Sequence, residues 1–204
     1  MNIEDLKFKI AGLCALISPI VAFVCIFVAI SLSPWFSWSG NALSDLGVRG
    51  TAATVFNSGL MVSGLLTMVF AAGLFEAFRG RILGRIGAVA LFLGAISLFA
   101  VGAFPESAGA IHSYVSVAFF ALLPISLITI GASMVIAKSR VLGSFSILVA
   151  VLAALPWAVS WNALAVPETM SVFTIAVWDV TMGLKLYRGT LVGAHSVSVR
   201  RQSS

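Results

Sequence analysis

The stretch VALFLGAISLFAVGAF (89–104) decides the fold. Ser97 is its one polar side chain, and its apolar residues follow neither the period of 2 of a half-buried strand nor the 3.6 of a surface helix. A segment apolar on every face suits a solvent that is itself apolar. In lipid the backbone must satisfy its own donors and acceptors, which leaves helices or closed barrels, and barrel strands alternate lipid-facing with lumen-facing residues. No such alternation appears here or in SVAFFALLPISLITIGA (116–132), so both are predicted to be membrane helices.

Six spans follow by the same reading, at about 8–33, 52–75, 86–104, 113–137, 141–161 and 169–187. Crossing a hydrocarbon core of roughly 30 Å takes about 20 residues. The chain is 60% apolar and 9% charged, whereas a soluble domain carries about a quarter charged residues. The expectation is an all-α, six-transmembrane-helix bundle over 1–189, followed by a disordered basic tail over 190–204. The first span is too long for the apolar core of a cleaved signal and is expected to be retained. Cys14 and Cys25 lie on that span about 16 Å of helix rise apart, too far to pair, and read as buried thiols.

Charge sets the orientation. Lys7, Lys9, Arg79, Arg81, Arg85, Lys138, Arg140, Lys185, Arg188, Arg200 and Arg201 flank one set of span ends, and Arg49 alone flanks the other. Cytoplasmic loops collect Lys and Arg, so both termini are expected in the cytoplasm and the loops 34–51, 105–112 and 162–168 outside the cell membrane. The net charge of +5 comes from these topology-setting residues. The bilayer is therefore the expected partner, nucleic acid is not, and the basic tail suits anionic headgroups at most.

The first outer loop contains SPWFSWSGNALSDLG (33–47). Trp35, Phe36 and Trp38 suit the headgroup layer, as do Tyr114, Trp157 and Trp161. Asn41 is expected to cap a short helical turn and Gly47 to end it in the left-handed conformation. Together NALSDLG (41–47), FNSGL (56–60) and GAFPE (102–106) followed by His112 resemble the motif series of the domain-of-unknown-function 998 family of multi-pass membrane proteins. That resemblance implies the six-helix fold. It directs attention to Asn41, Ser44, Asp45, Asn57, Ser58, Glu106 and His112, and it implies no activity, cofactor or catalytic residue.

Independently, topology gathers Asp45, Glu106, His112 and Glu168 at the outer helix ends. A carboxylate–histidine group there suits a metal ion, a proton relay or a cationic headgroup, or else only ties loops down. With two histidines in the chain, one of them in the tail, a multi-histidine zinc site is excluded. Hydrolysis would need Ser44 or Ser113 as nucleophile with His112 as base, and no G-x-S-x-G or H-E-x-x-H supports it. The leading expectation is a ligand site of Asn41, Ser44, Asp45, Glu106 and His112 for a small molecule, ion or lipid headgroup, with cofactor, metal and oligomeric state left open. The alternatives are an accessory subunit acting through its contacts, or a proton- or cation-coupled transporter. Transport is supported by Asn57, by the stripe Ser171, Thr174, Trp178 and Thr181, and above all by Asp179 near the middle of the sixth span. Exposure to lipid there would cost about 2.5–3.5 kcal/mol. Asp179 is therefore expected to face the bundle, neutral or holding a cation, with hydroxyls of Ser63, Thr67, Ser126 or Thr129 as partners.

Overall fold

The computed structural model describes residues 3–191. Among them it forms six α-helices and no strand: α1 (Ile3–Ser31), α2 (Gly50–Ala77), α3 (Ile82–Ala103), α4 (Ala110–Ile136), α5 (Arg140–Ala154) and α6 (Ala165–Tyr187). Short 3-10 turns occupy Leu43–Gly47, Glu106–Ala108 and Leu155–Ala158. Each predicted span has become one helix. Five are long and apolar enough to cross a membrane, the fifth being α5 continued through Ala158. In α6 the residues Glu168, Asp179 and Lys185 dilute the apolar run. Of the expected tail, Thr190 N–H bonds the Lys185 carbonyl at 2.9 Å, and residues 192–204 lie outside the described chain.

Each helix packs on its neighbours in the chain, and α6 closes the ring against α1. In lipid the association of helices rests on close packing rather than on water exclusion, which favours small residues at contacts. Gly131 on α4 and Gly143 on α5 illustrate this: a Cβ on either would come within 2.7 or 2.6 Å of the other's carbonyl oxygen. The core between the helices holds Phe70, Leu74, Leu91, Leu127, Ile130, Trp178 and Met182, all fully buried. Trp178 packs against Phe70 with ring centroids 5.9 Å apart and donates its indole N–H to Ser146 Oγ at 2.8 Å. The outward faces present Ile20, Phe27, Val117 and Phe173.

Pro19 and Pro124 sit inside α1 and α4, whereas Pro156 stands where α5 gives way to a 3-10 turn. The turns Leu43–Gly47 and Glu106–Ala108 lie at the same end of the bundle, called the rim below, opposite the turns carrying Arg79, Arg81, Lys138 and Arg140.

Candidate functional site

The rim is assembled by hydrogen bonds from carboxylates to exposed backbone donors. Asp45 Oδ2 accepts the Ala42 N–H at 3.0 Å and the Asn41 side-chain amide at 2.8 Å. Glu168, 8% exposed in the first turn of α6, accepts the Leu43 N–H at 2.7 Å, and the Ala165 N–H reaches the Asn41 carbonyl at 3.0 Å. The short turn is thereby fastened to α6.

Two expectations about this turn are corrected. Asn41 does not cap it: its side-chain oxygen accepts the Ser37 N–H upstream at 2.9 Å, and the free donor of the turn goes to Asp45. Gly47 is not left-handed; positive φ falls instead on Gly50, at 71°. Gly47 is required by proximity, since a Cβ there would stand 2.5 Å from Asn57 Oδ1. The Asn57 amide donates to the Gly47 carbonyl at 2.9 Å, which makes Asn57 a tie between α2 and the rim. Ser58 is exposed on the outer face of α2.

Glu106 hydrogen-bonds Asp45, and Ser44 Oγ reaches Glu106 Oε2 at a long 3.5 Å. Two carboxyls in contact cannot both stay ionised at little cost, so they share a proton. For Asp45, burial pushes the pKa up, but hydrogen bonds from Glu106, Asn41 and the Ala42 N–H outweigh it and hold the carboxyl below the usual range. For Glu106, burial, the bond to Asp45 and the charge of Asp45 together raise it, against a smaller opposing effect of Ser44. Of the pair, Glu106 keeps its proton to the higher pH.

His112, 7% exposed, bonds the Phe104 carbonyl through Nδ1 at 2.8 Å. A carbonyl only accepts, so Nδ1 carries a proton, and Nε2 can accept from Ser116 Oγ at 3.3 Å. The serine that meets the imidazole is thus Ser116, one helical turn on, rather than Ser44 or Ser113. A backbone carbonyl stands where a catalytic carboxylate would orient the ring.

A cavity of about 530 Å³ opens at the rim beside α4. Ser44, Glu106, His112, Ser113, Ser116 and Glu168 form its upper wall, and Val117, Phe120, Ala121, Pro124, Ala154 and Trp157 line it deeper toward the membrane interior. Of the residues singled out from the sequence, Ser44, Glu106 and His112 line this groove. Asp45 supports it from behind through Glu106, and Asn41 through Asp45. Ser116 was missed, although its position four residues after His112 on a helix was a usable signal. Among the described residues no three of His, Cys, Asp and Glu are grouped to hold a metal ion. Another groove of similar volume lies between α1 and α2 at the opposite end, where Glu76 already pairs with Arg79 at 3.0 Å.

The polar residues inside the bundle are arranged differently from expectation. Ser126 bonds the Gly87 carbonyl and Thr129 that of Ile125, while Ser63 and Thr67 bond Ser18 of α1, so none of the four is a partner of Asp179. The stripe on α6 divides: Ser171 and Trp178 are buried, and Thr174 and Thr181 bond carbonyls of their own helix.

No curated protein and no solved structure matches the chain. A family profile described as "Protein of unknown function (DUF998)" matches residues 16–185, most of the chain and all the helices that build the groove. With that match added to the motifs at the rim, the chain belongs to the DUF998 family.

Proposed function

We propose that this protein is a multi-pass protein of the cell membrane, with six spans, both termini cytoplasmic and the rim outside, whose rim groove holds an amine-bearing lipid. The orientation is supported by the Lys and Arg residues collected at the end opposite the rim. The observation that carries the lipid reading is the division of the groove's lining. Glu106, Glu168 and His112 stand at its mouth, and Val117, Phe120 and Trp157 follow below. A ligand matching both halves has a polar head and an apolar chain, and a volume of about 530 Å³ lies in the range of ligand pockets. Among the described residues no Lys or Arg lines the groove, whereas the carboxyls of Glu106 and Glu168 do, so the complementary headgroup is an ammonium.

Transport and hydrolysis are less well supported. Fully buried Trp178, Phe70 and Met182 fill the bundle's middle, and the imidazole of His112 lacks an acidic orienter. Purified protein titrated with phosphatidylethanolamine and, separately, phosphatidylglycerol, followed by native mass spectrometry, tests the lipid reading. Phosphatidylethanolamine is expected to bind tighter, and Glu106→Gln together with Glu168→Gln to weaken it about tenfold, equal to about 1.4 kcal/mol. Equal binding of the two lipids, or no loss in the double variant, would sink it.

A further inference from the structure

Below the groove two smaller cavities lie one beyond the other within the bundle. The first, of about 50 Å³, shares Ser44, Ser116, Phe120 and Glu168 with the groove. The second, of about 70 Å³, shares Leu60, Phe119 and Val172 with the first and reaches Asp179. Asp179 is 7% exposed, and its Oδ1 is buried without any hydrogen-bond partner. Most buried polar atoms in folded proteins are paired, so an orphaned carboxyl oxygen in a membrane bundle requires an explanation.

The hydroxyls lining the same chamber do not supply one. Ser18 Oγ donates to the Ser63 carbonyl at 3.1 Å and lies 2.9 Å from Thr67 Oγ1, and Ser63 Oγ donates to the Ser18 carbonyl at 3.0 Å. They are engaged with one another. The rest of the lining is Leu, Ile, Phe, Val, Ala and Pro. Ca2+ takes about six to eight oxygen ligands and Mg2+ about six, more than one carboxyl and three engaged hydroxyls offer here. A proton needs one. Both cavities exceed the roughly 10–15 Å³ that a water molecule requires; Ser44, Ser116 and Glu168 offer it polar partners in the first and the Asp179 carboxyl in the second, so water can carry the proton in.

We propose that Asp179 is a proton-binding site at the centre of the bundle, reached by water from the rim through these cavities in series. A proton from the aqueous phase at the rim passes Glu168, crosses the neck at Val172 and is taken up on Asp179, and it leaves by the same route. Among the described residues no other titratable group lines the chamber: α1 contributes Ser18, α2 Ser63 and Thr67, and α3 and α4 only apolar residues. Glu168 on α6 faces the middle cavity, and Glu106 and His112 join it at the groove. Toward the opposite end Trp178, Phe70, Leu74, Met182 and Leu186 are fully buried in one packed cluster, so the route is one-sided. It is a site of proton exchange rather than a path across the membrane.

Two measurements on the full chain in lipid vesicles test this, neither using a groove ligand, so their failure leaves the lipid reading standing and the converse holds. Dicyclohexylcarbodiimide attacks protonated carboxyls in apolar surroundings. It is expected to modify the peptide containing Asp179, less as pH rises. No adduct on that peptide even in acid, or labelling that ignores pH, would overturn the site. Infrared difference spectra over the same pH range are expected to contain a carboxylic C=O band that shifts in D2O and is missing in Asp179→Asn. In Val172→Phe, or Leu60→Phe if the first fails to fold, that band is expected to exchange at least about tenfold more slowly. Exchange as fast as in the parent protein would show that the proton does not come from the rim.

Discussion

Asp45 and Glu106 determine how the rim responds to pH. The pKa of Asp45 is lowered in the folded chain, so its stabilisation is complete above the ordinary Asp range and is lost as pH falls through the depressed value. That of Glu106 is raised, so its contribution is complete below the ordinary Glu range and is lost as pH rises through the elevated value. Between the two the pair holds one proton and the turn is tied down most firmly. We therefore expect protection of the Ala42 amide, which donates to Asp45, to be bell-shaped in pH once intrinsic exchange rates are divided out. Asp45→Asn should abolish the acid limb, and a flat profile in the parent protein would refute the shared proton. Water still reaches both carboxyls, so the effect is modest.

Helix seams are where hydroxyls decide stability. Ser146 on α5 is the acceptor for Trp178 on α6, with both side chains fully buried. Ser146→Ala leaves an indole N–H with no acceptor in an apolar core, expected to cost about 1–3 kcal/mol. Thr181→Ala removes a hydroxyl that bonds only the Val177 carbonyl of its own helix and is expected to change stability by no more than about 0.5 kcal/mol. Unfolding in detergent compares the two, and equal losses would refute the assignment. The six helices were legible because runs apolar on every face have one structural outcome in lipid. The partners were not. Helical spacing placed Thr181 and Trp178 on one stripe, yet only the neighbouring helix determines which of them meets a buried acceptor. The same holds at the rim, where Leu43 and Glu168 are separated by 125 residues and no local rule links them. Asn41 and Gly47 obeyed capping and turn preferences in isolation, and Ser37 and Asn57 altered both outcomes. Asp179 was placed correctly inside the bundle by the cost of exposing it. Its expected hydroxyl partners are engaged elsewhere, Ser63 and Thr67 with Ser18, Ser126 with the Gly87 carbonyl and Thr129 with that of Ile125.

For the molecule as a whole, the orientation proposed from charge can be read by labelling. In a variant lacking Cys14 and Cys25, single cysteines at Gly40, Ser107 and Thr169 should react with an impermeant thiol reagent added outside intact cells. A cysteine at Ser139, exposed in the turn between α4 and α5, should stay silent, and reaction there would invert the map. The closure of the ring by α6 against α1 has a further consequence, which concerns the order of assembly. Gly12 faces the backbone of Gly183 and Tyr187, so α1 is completed by a helix synthesised after α2 to α5. Contacts so distant in sequence form late. Ala11 already packs on Gly73 of α2, but until α6 arrives Gly12 and Ala15 of α1 lack the partner they meet in Gly183. The helix it awaits carries Asp179 and is the one whose apolar run is most diluted. Insertion of α6 is therefore favourable chiefly when the other five are already assembled to receive it, which makes its docking the committing event in biogenesis and a truncation before it the form most exposed to quality control.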